Sequence, residues 1–267
     1  MISLILTPAL RRLAWLAFLG MFLVFVDLAH AAEPLLTPAQ IINIAGRQRM
    51  LTQQIVKAYV QIGLGITPEL SRRQLADGVR LFETQLSQLR HSAPDAQTRQ
   101  SLAGMDKLWR RFKFAATGAV NRSGAETLLG MDGELLSAAH ELTQALQSRS
   151  GISAARLVEM SGRQRMLSQR LAKYYLVRAW GIDSMIAARE LGSARAEFDG
   201  ALIALRAAPE NTAEINKELD AVALQWEWFK NALALEGAAS YGLVVVHTSE
   251  AILNSMELVT ALYEKLP

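Results

Sequence analysis

From Ile41 to Ile62, apolar residues recur three and four positions apart, along the line Ile41, Ile44, Gln48, Leu51, Ile55, Ala58 and Ile62. That spacing is the signature of a helix with one face turned into a bundle core. A second line, Ile42, Ala45, Arg49, Thr52, Val56 and Tyr59, occupies a neighbouring face of the same predicted helix. Its side chains are small or semi-apolar around a single arginine, which suits an interface better than a solvated surface because a second helix can approach closely.

The pattern then repeats. Gly46-Arg47-Gln48-Arg49-Met50-Leu51 recurs unchanged as Gly162-Arg163-Gln164-Arg165-Met166-Leu167, 116 positions later. The same offset pairs Gln53 with Gln169, Lys57 with Lys173, Tyr59 with Tyr175, Gly65 with Gly181, Phe82 with Phe198 and Leu86 with Leu202. A one-residue slip pairs Trp109 and Phe112 with Trp226 and Phe229, and an offset of 116 again pairs Glu141, Leu142 and Leu146 with Glu257, Leu258 and Leu262. Self-similarity over this length marks a duplicated unit.

Turn and cap signals divide each copy into four helices of about 20 to 28 residues. In the first copy they fall at Thr67-Pro68, Ser92 to Asp95 and Ser123-Gly124; in the second, at Gly181, Ala208-Pro209 and Gly237. Leucine and alanine dominate, with only seven prolines and 17 glycines in 267 residues, a composition that favours long helices. The expected fold is therefore all-α: two tandem antiparallel four-helix up-and-down bundles, over residues 32–149 and 150–267.

Residues 1–31 read as an address. Arg11 and Arg12 precede an apolar run from Leu13 to Val26, followed by Ala29-His30-Ala31, a small-x-small cleavage pattern. The run is short for a membrane-spanning helix, which needs about 20 residues, although an uncleaved anchor extending through Leu28 is the alternative. No later stretch is long and apolar enough to span a bilayer, so the mature chain is expected in the periplasm, with any output passed to a partner.

The formal charge of +3 is small and its arginines are dispersed among acids, which argues against a nucleic-acid partner. There is no cysteine, hence no disulfide, thiolate metal site or cysteine nucleophile. His140-Glu141 begins like a zinc-protease helix, but Gln144 stands where the second histidine would have to be. No metal site, cofactor motif or catalytic constellation emerges, and an enzyme is not expected.

The segment from Ser161 to Lys173, with its earlier copy around Gly46, resembles the signature of the PilJ-type domain, the N-terminal sensory domain of type IV pilus chemotaxis transducers. NarX-type nitrate sensor domains look like relatives. The resemblance implies a periplasmic four-helix bundle and, carried over from the nitrate-sensor branch, anion binding by Gly46 with Arg49 and by Gly162 with Arg165 where two bundles meet. The Arg-Gln pair inside each motif is the pilus-transducer form.

Physically, two guanidinium groups facing one another across such an interface would repel, by about 4 kcal/mol at 4 Å and an effective dielectric near 20. A bridging nitrate- or nitrite-like anion would reverse the sign, and a planar oxyanion suits bidentate guanidinium donation. Gln48 and Gln164 fall on the core seam, as hydrogen-bonded register elements or secondary ligand contacts. Tyr59 and Tyr175 are core aromatics or pocket closers, and Trp109, Phe112, Trp226, Trp228 and Phe229 are expected in the core. Arg47 and Arg163 are expected to be structural, with Glu159 pairing to Arg163 four residues on. The leading reading is a sensor or solute-binding protein that signals through a membrane receptor, kinase or transport system, with a homodimer also open. The alternative is a ligand-free adaptor or scaffold docking an envelope receptor or a pilus or chemotaxis protein.

Overall fold

The computed structural model describes residues 36–151, 154–182, 184–235 and 239–266. The expected signal segment, 1–31, lies outside the described residues, as does the turn placed at Gly237. Among the described residues there are eight helices: α1 (Pro38–Gly63), α2 (Pro68–His91), α3 (Ala96–Ala116), α4 (Arg122–Arg149), α5 (Ala155–Ala179), α6 (Ser184–Arg206), α7 (Ala213–Ala234) and α8 (Ala239–Tyr263). The first four form one antiparallel bundle and the last four a second, and residues 36–267 make a single compact unit.

Local chemistry fixes most helix ends. Thr37 and Gln40 form a reciprocal capping box ahead of Pro38, which satisfies two backbone donors that a helix start otherwise leaves unpaired. The side chains of Asp95, Asn121 and Thr212 each accept one backbone N–H at the starts of α3, α4 and α7. The Asn121 cap corrects one boundary. Ser123 and Gly124 lie inside the first turn of α4, because the Asn121 side chain accepts the Gly124 N–H and starts the helix at Arg122. Gly65 and Gly181 take matching left-handed conformations, φ +69° and +71°, after α1 and α5, a geometry that costs a glycine little.

Each bundle is pinned by stacked aromatics. Phe82 stacks on Trp109 with ring centroids 3.8 Å apart, and Phe198 stacks on Trp226 at 4.1 Å. Phe112 and Phe229 complete the two clusters. Trp228 departs from expectation at 70% exposure. Two residues along a helix is about 200° of rotation, so the residue after next from the core Trp226 points outward, whereas Phe229, three on, returns to the core.

The fourth helices also correct the repeat register. Thr143 and Thr260 are both fully buried, as are Ala139 and Met256. Leu142 is buried, but the residue 116 positions later, Leu258, is 43% exposed, while Val259 is buried. The structural offset in α4 and α8 is therefore 117, continuing the slip already present at the tryptophans, and it makes Glu257 the counterpart of His140.

The two bundles join through their motif helices, α1 and α5, which share the most extensive contact of any helix pair in the molecule. Arg49 reaches Glu159 and Arg165 reaches Asn43 near the start of both helices. At the other end Gly63 lies so close to Trp180 that an added Cβ would penetrate the indole ring. Like ends meet, so α1 and α5 run parallel. Because α1 also packs on α2 and α4, it is buried almost all round, and both lines of the predicted helix contribute buried residues.

Truncating Trp109 to alanine removes the stacked centre of the first bundle and is expected to cost about 3 to 5 kcal/mol in urea unfolding, whereas Trp228→Ala should change stability by no more than about 0.5 kcal/mol.

Candidate functional site

The parallel packing of α1 on α5 brings the two motif arginines into one buried seam, where both are fully inaccessible to solvent. Their surroundings are related by a pseudo-twofold relation. Each arginine touches a residue six positions before its counterpart on the other motif helix, Glu159 for Arg49 and Asn43 for Arg165. Each also touches the fourth helix of its own bundle, His140 for Arg49 at 3.2 Å and Glu257 for Arg165 at 2.6 Å. The two niches thus use the same positions, with the carboxylate and the neutral partner exchanged.

Glycine at the start of each motif makes room for this. A Cβ on Gly46 would lie 3.2 Å from Nη2 of Arg49, and one on Gly162 would lie 2.9 Å from Nη2 of Arg165. The arginine three residues on folds back over its own helix, so the Gly-x-x-Arg spacing is a packing unit.

Each guanidinium group has an internal carboxylate partner. Arg49 Nη1 donates to Glu159 at 2.7 Å and Arg165 Nη1 to Glu257 at 2.6 Å. Arg47 adds a second contact to Glu257 from across the seam, at 2.5 Å. Arg163 donates to Glu159 at 3.2 Å, the pairing expected from their spacing, and to Glu197 at 3.0 Å. Mutual repulsion between the arginines is therefore screened at close range. The carboxylates were hard to assign in advance, because Glu257 reaches the motif only through the one-residue slip and Glu159 only through the parallel crossing.

Further along the helices two buried lysines cross between copies. Lys57 pairs with Glu250 and contacts Ser249 on α8, and Lys173 pairs with Asp132 on α4. Gln53 donates to the same aspartate at 2.8 Å, and Gln169 donates to the Ser249 carbonyl at 3.1 Å. Gln48 and Gln164 stay within their own bundles, donating to Gln85 and to the Phe198 carbonyl. Tyr59 and Tyr175 are buried, and their hydroxyls donate to the equivalent carbonyls of Ala119 and Leu235. They fasten α1 and α5 to the ends of their own bundles.

Burial pushes the Arg49 guanidinium below its usual range against the opposing pull of Glu159, and lowers Arg165 to about 10 despite Glu257. Burial also raises the carboxyls, but Arg49 and Arg163 outweigh it at Glu159, and Arg165 and Arg47 outweigh it at Glu257, so both lie below the carboxylate norm. His140 is lowered by burial first and then by Arg49 and Arg163. Arginine has no acceptor, so Nδ1 of His140 must receive the Arg49 N–H, and that requires the neutral imidazole.

On one side of the seam the His140 niche opens into a cleft of about 310 Å³, lined by α4 and by the next two helices. Among the described residues no cluster of three or more histidine, aspartate or glutamate side chains could hold a metal ion, and no helix is long and apolar enough to cross a membrane.

Fold and seam together define an internally duplicated helical-bundle protein, in which one chain supplies both halves of an interface. The family model for "Type IV pili methyl-accepting chemotaxis transducer N-term", PilJ, matches residues 35–131 and again 146–260, and the chain belongs to that family in two tandem copies. Such transducer domains serve signalling and not catalysis. No curated protein and no solved structure matches the chain.

Because Arg49 and Glu159 are buried together, removing one partner strands a charge: Arg49→Ala is expected to lose about 3 to 5 kcal/mol in chemical unfolding, while the apolar double replacement Arg49→Met with Glu159→Leu should recover most of it.

The acid response follows from the same groups. His140 has a folded value below its ordinary 6.5, and Glu159 and Glu257 lie below 4.5. In each case the unfolded chain takes up the proton more readily, so stability is present at neutral pH and lost as pH falls. The melting temperature should begin to decline below about pH 6.5 and fall more steeply below about 4.5. His140→Gln should flatten the first decline and leave the second.

Proposed function

We propose that the chain is a periplasmic sensory module that takes up a small anion of the nitrate or nitrite class at the arginine seam and passes the change to a membrane receptor, kinase or transport system. The single observation carrying this reading is the pair of motif arginines buried where the two copies meet, each held by partners from both bundles. Anything that exchanges one of those partners changes the balance of forces between the bundles, and that supplies an output without a hinge. Family membership supports the sensory role, and the apolar run and small-x-small pattern before residue 32 support export. Gly46, Arg49, Gly162 and Arg165 are the residues assigned to the responsive element.

A ligand that binds only the folded protein stabilises it by about 2.7 kcal/mol at 100 times its dissociation constant, which is a shift of several degrees for a chain of this size. Nitrate or nitrite should therefore raise the melting temperature in a saturable way at constant ionic strength. If no member of an anion panel does so, the ligand-sensing reading fails.

A second reading, a ligand-free adaptor, is favoured by a different surface. Leu224 and Trp228 on α7 are 64% and 70% exposed and share a shallow groove with Thr248 and Ala251 on α8. Their α3 counterparts at the 117 offset are Lys107 and Arg111, so the apolar face belongs to the second copy alone. Retention of a partner by the protein regardless of anion, and its loss on Trp228→Glu, would favour this reading.

A further inference from the structure

The two arginine niches are equivalent in position but unequal in chemistry, and we infer that only the Arg49 niche takes an anion, so that the duplicated chain carries one site and not two. The inference rests on the anion-sensing reading and specifies where in the seam the ligand enters.

Arg165 has a closed set of partners. Its Nη1 donates to the Glu257 carboxylate and its Nη2 to Asn43, leaving only Nε without an acceptor. Arg49 shares a single Nη1 between Glu159 and His140, makes a 3.5 Å contact from Nε to the Gly46 carbonyl, and leaves its whole Nη2 amino group unpartnered in the interior. A fully buried arginine with an unused donor group has unsatisfied binding capacity, since burial without a hydrogen bond is costly.

Competition separates the niches further. An incoming anion must replace an acceptor already in place. At Arg165 that acceptor on the fourth helix is a tethered carboxylate, whose charge-assisted hydrogen bond is of the same kind as the newcomer would make. At Arg49 it is the neutral imidazole nitrogen of His140, and a bond to a charged acceptor is roughly twice as strong as one to a neutral acceptor. On the fourth-helix side, where the cleft lies, exchange therefore favours the anion at Arg49; the neutral acceptor of Arg165, Asn43, is buried on the motif helix of the other copy.

Access points the same way. The cleft of about 310 Å³ beside Arg49 is lined by Gly133, Ser137 and His140 on α4 and by Arg163 and Arg170 on α5, with Glu197 opposite. At the 117 offset Gly133, which has no side chain, corresponds to Glu250, a carboxylate already paired with Lys57. At 116, Arg170 corresponds to Gln54. Arg163 and Arg170 are themselves paired, with Glu159 and Glu197 and with Glu190, so the cleft is not a general basic patch. Its selectivity is for a small, planar anion able to take the place of the imidazole nitrogen and accept from Arg163 at the mouth. Nitrate and short carboxylates share that chemistry.

Isothermal titration of the full exported chain with sodium nitrate and with sodium formate tests the inference. One ion per chain is expected. His140→Glu installs the carboxylate found in the closed niche and should weaken binding at least about tenfold, the equivalent of one charge-assisted hydrogen bond, while leaving the thermal unfolding transition cooperative. His140→Gln, which keeps a neutral acceptor, should retain binding, and Glu257→His should raise the stoichiometry toward two. Two ions per chain in the natural sequence, or unchanged affinity in a folded His140→Glu protein, would overturn the one-site assignment while leaving anion sensing intact. Absence of any binding to the natural sequence would overturn both.

Discussion

Charge burial in the seam between α1 and α5 is the constraint around which the molecule is organised. Taking a guanidinium group out of water costs several kcal/mol even after relaxation, and this protein does so twice, beside two buried lysines. The cost is bearable only where carboxylates and amides meet each cation at hydrogen-bonding distance, and those partners come from both copies. Separation of the bundles would expose these groups to water but would also remove partners from the ones left covered. The polar seam is thus a specification of which surfaces meet and in what register, as buried polar groups are in some helical assemblies.

Duplication has a consequence that a symmetric dimer could not reach. In an assembly of identical chains the two niches would be chemically identical. Here the same pair of positions holds glutamate and histidine in one niche and asparagine and glutamate in the other. Each niche has one carboxylate, contributed by the opposite copy in the first and by the same copy in the second. The two copies thus keep one carboxylate in each niche, while the cleft of about 310 Å³ lies beside Arg49 and His140.

Much of this organisation was legible along the chain. The duplicated hexapeptide marked the two central helices, the three-and-four spacing gave their buried faces, and the small-residue line around Arg49 marked a helix-helix interface. Trp228 was misplaced because an aromatic cluster in sequence does not share a face when its members are two residues apart. The fourth-helix register was misjudged because Glu-Leu pairs recur by chance in leucine-rich helices, and only burial distinguishes Val259 from Leu258.

By itself the sequence determined the helices and the duplication, since these follow from periodicity and local identity. Tertiary structure alone decided what the arginines touch. His140, Glu257 and Glu159 lie 91 to 110 residues from the arginines they contact, and that pairing depends on the parallel crossing of α1 and α5, which leaves no periodic trace. That is why the two motif arginines are visible in the sequence, whereas the counter-charges that meet their guanidinium groups appear only in the folded chain.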